Sequence, residues 1–247
     1  MSRAVYSIIV LALALSPVGA TFAWAGDAGK EMRIAQAASG KQPDPGSVAA
    51  AGASSSAPII WMPPASGAPV ERVGGAVRGS SALPTPRALV PSQAALTLQA
   101  TPSLFWHLDA GAPEDVQLFF SIIEEDGDLP LTEVELDLPP KAGIQRVRLA
   151  DHGVALEQGK SYEWSVSLVP DINRRAKDAV TMGSIQRVSL PAGSRMPDDA
   201  RAYAARGLWY DAFESLSDAV DTSPANPEVR QQRRSLLKQA GISIGAE

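Results

Sequence analysis

Between Ala95 and Leu190 the apolar residues return at every second position, and that period limits what the chain can become. Leu104, Trp106 and Leu108 share one side of a run, as do Val116, Leu118, Phe120 and Ile122. Val134, Leu136 and Leu138 alternate with Glu133, Glu135 and Asp137, and Val147 and Leu149 alternate with Arg146 and Arg148. Tyr162, Trp164, Val166 and Leu168 form the clearest run, and Val188 and Leu190 close the series. A period of two with turn residues between short runs predicts antiparallel strands packed as a sandwich or barrel. From Pro197 the period becomes helical, so the chain reads as α+β, with the β-sandwich first and helices after it.

Two local patterns sharpen this reading. In Leu156-Glu157-Gln158-Gly159-Lys160-Ser161-Tyr162 a Leu, a Gly and a Tyr stand three apart at the opening of a strand. Immunoglobulin/fibronectin-like β-sandwiches turn a corner in this way, with the Tyr hydroxyl bonding back to nearby backbone. In the C-terminal part, Tyr203, Gly207, Trp209, Ala212, Leu216, Ala219 and Pro224 are spaced as in one tetratricopeptide repeat. Gly207 turns the chain between two helices, the alanines allow close approach, and Pro224 stops the second helix. Asn226-Pro227 then opens a third helix, with Asn as the N-cap and Pro at N1. It runs to about Ala240 and ends at Gly241. The expected C-terminal segment is therefore a three-helix tetratricopeptide-like unit. One such repeat leaves its apolar face unfinished, so Trp209 must bury against the sandwich or a partner.

The N-terminus reads as an export signal. Arg3 precedes an uncharged, mostly apolar run from Ala4 to Leu15, and Ala23-Trp24-Ala25 supplies the small residues of a cleavage site before Gly26. The run falls short of the roughly 20 residues that span a bilayer. Cleavage removes one basic residue, so 22 − 1 basic against 27 acidic residues leaves a charge of −6. The expected organisation is a signal peptide over 1–25 and an Ala/Gly/Ser/Pro-rich tether over 26–57. The sandwich with its Pro/Gly-rich leader follows over 58–194, and helices over 195–247. A periplasmic or secreted location follows, without an integral span after cleavage.

Composition excludes several functions. The acidic balance supplies no basic stripe for nucleic acid. With no cysteine, thiol catalysis, thiolate zinc sites and iron–sulfur clusters are out, and two histidines do not make a multi-histidine metal site. No cofactor or metal is expected. The block Arg72-Val73-Gly74-Gly75-Ala76-Val77-Arg78 offers Arg72, Gly74, Gly75 and Arg78 as a backbone nest for an anion or a partner, but it lacks the ending of a phosphate-binding loop. Asp126-Gly127 within Glu124-Glu125-Asp126-Gly127-Asp128 reads as a hairpin turn rather than a calcium loop. Glu133, Glu135 and Asp137 line one face of a strand and Arg146 and Arg148 one face of the next, and if those strands pair the charges meet across the ladder. His107 and His152 are expected at the surface, and Asp151-His152 lacks the nucleophile elbow of a hydrolase triad. With Trp106 and Phe120 facing inward, Phe105, Phe119 and Ile123 face outward and need a cover. The helices, through Trp209, or the Trp61 segment are expected to supply it, the alternative being that these residues meet a partner.

Pro63-Pro64, Gly67 to Pro69, Arg72 to Gly75 with Arg78-Gly79, Leu89-Val90-Pro91, Pro102 with Trp106, Leu156 to Trp164, Ile185 to Val188 and Gly207 to Ala212 occur in that order. In this arrangement the chain resembles the bacterial exported proteins grouped as Domain of Unknown Function 928, over about Ile59 to Ala240. Ala76-Val77 stands where that family often shows Gly-Thr. The resemblance implies export and a shared fold, and it carries no activity, cofactor or catalytic residue. The functional expectation is a non-catalytic protein-interaction or binding module of the bacterial envelope, not an enzyme, with another envelope or secreted protein as its partner. The alternatives are a hydrolase built on Asp151, His152 and a serine, or a small-ligand sensor with a pocket between sandwich and helices.

Overall fold

The computed structural model describes residues 57–64, 83–92, 95–136 and 141–245. The expected signal segment, the tether up to residue 56 and the Arg72–Arg78 block lie outside the described residues. The described strands are β1 (Arg87–Ala88), β2 (Leu96–Thr97), β3 (Ser103–Leu108), β4 (Gln117–Glu124), β5 (Pro130–Glu135), β6 (Gly143–Arg148), β7 (Ser161–Val169) and β8 (Ala179–Arg187). Three helices follow: α1 (Ala200–Ala204), α2 (Trp209–Thr222) and α3 (Pro227–Gln239). The molecule is thus a mixed α+β protein with two sheets ahead of three helices.

One sheet has the order β1-β3-β6 and the other β2-β8-β7-β4-β5. In the larger sheet, Phe120 stands opposite Val166 and Val134, Ile122 opposite Trp164, and Leu118 opposite Leu168. These residues form the inner face and are almost all buried, as the period of two requires. Across from them lie Leu104, Trp106 and Leu108 of β3, also fully buried. The Ala88 N–H donates to Thr181 Oγ1 at 2.8 Å, joining β1 to β8 across the gap between sheets.

Several expectations need correction. β2 pairs with β8 in parallel, Leu96 beside Gln186, so the pairing is not wholly antiparallel. The last strand ends at Arg187, ahead of Val188 and Leu190. β5 and β6 belong to different sheets, so Glu133 and Glu135 do not meet Arg146 and Arg148 across a ladder. β3 and β4 are likewise in different sheets, and Phe105 does not share a surface with Phe119 and Ile123. β3 is buried on both faces because its outer side lies under the helices. His107, on that outer side, is therefore buried rather than exposed.

Local chemistry explains the boundaries. Tyr162 OH accepts the Glu157 N–H at 2.9 Å, fixing the chain where it enters β7. Gly127 N–H donates to Glu124 O at 2.8 Å and closes the turn between β4 and β5. Asn226 Oδ1 caps α3 by accepting the Glu228 N–H at 3.0 Å, with Pro227 at the first turn. Gly207 sits at φ 73°, the left-handed region that suits glycine, between α1 and α2. The sheets and helices fall within one compact unit, Ser54–Glu247. Among the described residues no helix is long and apolar enough to cross a membrane.

Gly183 of β8 faces Trp164 so closely that a Cβ there would lie 2.6 Å from the indole ring. The ring is itself pinned, because Trp164 Nε1–H donates to Tyr210 OH at 2.8 Å. Gly183→Ala is therefore expected to lower stability by about 1–3 kcal/mol, the usual cost of overpacking a core. Urea unfolding checks this, and the loss is expected to shrink when Trp164→Phe is made as well.

Candidate functional site

The start of α2 is built into the sheets by three consecutive side chains. Trp209 Nε1–H donates to Leu89 O at 2.9 Å. Tyr210 OH receives the Trp164 indole N–H and donates to Ser184 O at 2.7 Å. Asp211 accepts the Leu98 N–H on both carboxylate oxygens, at 3.3 and 3.2 Å. All three residues are at most 2 % exposed. Burial holds the Tyr210 phenol well above its usual range, so it stays a neutral donor.

Further along α2, carboxylates continue down one side at i, i+3, i+7 and i+10: Asp211, Glu214, Asp218 and Asp221. Glu214 accepts from the Ser103 hydroxyl at the start of β3 and from Gln99 Nε2 at 2.9 Å. Asp218 accepts from Arg146 Nη1 of β6 at 2.6 Å, and Asp221 lies 3.7 Å from the other guanidinium nitrogen. Phe105 and Arg146 stand directly opposite in the β3–β6 ladder. That register lays the guanidinium over the ring at 4.9 Å from its centroid. On the helix side, Phe213 meets Phe105 edge-on at 4.9 Å.

A cleft of about 630 Å³ opens beside this pair, between the outer face of β3 and β6 and the helices. Its walls include Phe105, His107, Arg146, Ser217, Asp221 and Arg233. The His107 ring nitrogen Nδ1 stands 3.3 Å from Asp109 Oδ1. Ser217 is 2 % exposed, and its Oγ has no hydrogen-bond partner among the described residues. The walls thus bring Arg146, Arg233, Asp109 and Asp221 to one concavity, beside the buried Ser217 hydroxyl and with the Phe105 ring covered by the Arg146 guanidinium.

Of the residues singled out in sequence, Phe105 lies in this wall. Trp209 sits nearby in the core, stacked on Phe213 with ring centroids 5.8 Å apart. Phe119 and Ile123 are on the far side of the larger sheet and half-buried. There the Arg175 guanidinium covers Phe119 at 5.4 Å from the ring centroid. His152 lies in a short helical turn, its ring 6.0 Å from Phe120. Among the described residues, no group of three or more His, Asp or Glu side chains is placed to hold a metal ion. Ser217, Asp221 and Arg233 were not legible as site residues. The signal available for them was the carboxylate stripe on α2, which needs basic and hydroxyl partners from the sheets.

The fold and cleft define a two-sheet protein whose helices are fused to it by buried polar contacts. The chain belongs to the family described as Domain of Unknown Function (DUF928), whose profile matches residues 73–247. No curated protein matches the chain. Among solved structures, it is similar to the solution structure of the fn3 domain of the human collagen alpha-1(XX) chain. The two are 14 % identical with a TM-score of 0.26, over 49 % of this chain and 96 % of that one.

Burial raises the Asp211 carboxyl from 3.8 to about 6, against the opposing pull of the Leu98 N–H and the Thr97 hydroxyl. The native state then keeps a proton that the unfolded chain releases near pH 4. Native protein binds more protons across that window, so stability falls as pH rises from about 4 to about 6, by up to roughly 3 kcal/mol. Asp211→Asn keeps the acceptor and removes the titration. Urea unfolding from pH 4 to 7 is expected to show this decline in the native chain, and a smaller one in the variant.

Proposed function

We propose that the chain is an exported, non-catalytic binding module of the bacterial envelope, with the Phe105–Arg146 cleft as its binding site. The observation that carries this reading is the cleft itself. Its volume of about 630 Å³ is in the range of small-molecule sites. Its walls come from two sheet strands and two helices, so a bound group would contact both halves of the molecule. Export rests on Arg3, the apolar run from Ala4 to Leu15 and the Ala23-Trp24-Ala25 cleavage pattern. The body is read as an immunoglobulin/fibronectin-like sandwich, supported by the Tyr162 corner bond. The helices are read as one tetratricopeptide-like unit, supported by the Gly207 turn and the buried Trp209 and Ala212.

Within this reading the cleft favours a small polar ligand, or a short polar segment of another envelope or secreted protein, over a broad flat interface. A hydrolase has less support. Among the described residues, His152 makes no hydrogen bond to a serine or a carboxylate, and its ring contact is with Phe120.

Val220 lines the cleft and is only partly buried, so Val220→Trp fills the space without removing a core contact. The native chain and this variant are immobilised and exposed to the soluble envelope fraction, and eluted molecules are compared by mass spectrometry. A species retained by the native chain and lost at least about tenfold from the variant, about 1.4 kcal/mol in binding, is the expected result. Equal retention by both, with unchanged circular dichroism, would place binding elsewhere.

A further inference from the structure

Residues 57–64 lie in extended form between α1 and α3, and their side chains alternate between core and solvent. Ile59 and Trp61 are buried, and Trp61 meets Trp209 edge-on at 5.1 Å. Ile60 and Met62 are 61 % and 55 % exposed. The backbone that carries them is tied on both sides. Gln239 of α3 donates from Nε2 to Ile59 O at 2.9 Å and accepts the Trp61 N–H on Oε1 at 2.7 Å. Towards α1, the Met62 N–H donates to Ala204 O at 3.1 Å, and Arg201 Nε–H donates to Ala57 O at 2.8 Å. Two large apolar side chains are thus held outward on a fixed backbone, and a cover over them would take their apolar surface out of water.

Their surroundings are basic in a chain that is acidic overall. The formal net charge is −5, yet α3 carries Arg230, Arg233, Arg234 and Lys238 against Glu228 alone. Arg233 is buried and belongs to the wall of the cleft. Arg230, Arg234 and Lys238 follow at i, i+4 and i+8 and form one ridge along α3. Arg234 and Lys238 are exposed. Lys238 adjoins Gln239, the residue that holds Ile59 and Trp61, so the ridge ends beside the segment that carries the exposed pair. Carboxylates of the other two helices are engaged elsewhere. Glu214 and Asp218 of α2 turn to the sheets, Asp198 pairs with Arg195, and Asp199 caps α1 by accepting the Ala202 N–H.

We propose that this face docks the protein on an anionic phospholipid membrane, with Ile60 and Met62 entering the headgroup boundary and the α3 ridge against the lipid phosphates. Apolar burial and attraction to anionic lipid add in such binding, and the face presents both together. An acidic protein would use the cations alone and leave two aliphatic side chains without a purpose. The proposal goes beyond the cleft and does not depend on it.

Cosedimentation with vesicles tests it, using the chain from Gly26 onward so that the apolar run from Ala4 to Leu15 does not itself enter the lipid. The native chain is expected to sediment with vesicles of phosphatidylglycerol and phosphatidylcholine in equal parts. It is expected to stay in solution with phosphatidylcholine alone, and to be released from the mixed vesicles by salt. Arg230→Gln with Lys238→Gln is expected to lower the partition coefficient by about tenfold or more. Ile60→Ser with Met62→Ser is expected to lower it by a comparable factor. None of these four side chains is buried, so both pairs are expected to keep the native circular dichroism. Val220→Trp, which fills the cleft, is expected to leave vesicle binding unchanged. Absence of binding to the mixed vesicles overturns the proposal. Binding that the Ile60 and Met62 pair leaves unchanged is adsorption by charge, as to any acidic macromolecule, and overturns it too. So does binding that survives the α3 pair, or that Val220→Trp abolishes, which would place the lipid in the cleft.

Discussion

The structure depends on the first turn of α2 being buried between two sheets without leaving a polar group unmet. Trp209, Tyr210 and Asp211 each carry a donor or acceptor into an apolar interior, where an unpaired one costs on the order of 1–3 kcal/mol. Each finds a partner in a different part of the sheet body: Leu89 O, the Trp164–Ser184 pair and Leu98 N–H. The three contacts fix the position and the rotation of the helix at once. Once α2 is fixed, Phe213 must meet Phe105, and the Asp218 carboxylate must meet Arg146. The cleft is the space left where the helices diverge from the outer face of β3 and β6.

This accounts for the block Gly207 to Ala212 residue by residue. Gly207 supplies a left-handed turn and clearance for Met62 and Pro64, and Leu208 is buried. The next three residues make the polar contacts with the sheets. Ala212 is fully buried. A helix tied in this way has little freedom to act as an independent arm, so a ligand in the cleft would sense sheets and helices together.

Much of this was legible in the sequence, because period-two and helical runs report directly on which faces are buried. The corner at Tyr162, the turn at Asp126-Gly127 and the cap at Asn226-Pro227 are local chemistry, and local chemistry is written in adjacent residues. The errors have one physical source. Alternation says which residues of a strand share a face and is silent on which sheet the strand joins. Phe105 and Phe119 were grouped because each alternates with an inward aromatic, yet they lie in different sheets. Arg146 was matched to Glu133 and Glu135 by charge, while its partners Asp218 and Asp221 stand more than seventy residues away on α2. His107 looked exposed for the same reason: nothing near it in sequence announces the helices that pack on the outer side of β3. The parallel β2–β8 pair rests on two residues of β2, too few for any periodicity to register.

The central claim is that sheets and helices form one cooperative structure rather than a stable sandwich carrying a helical appendage. Ending the chain at about residue 195 tests it most directly, with unfolding followed by calorimetry and by tryptophan fluorescence. The account requires the shortened chain to lose its cooperative transition and to aggregate. Removing Trp209 alone is comparable to emptying a core aromatic site, at about 3–5 kcal/mol, against a total stability near 5–15 kcal/mol. A shortened chain that melts cooperatively at the native temperature, and stays in solution, would contradict it.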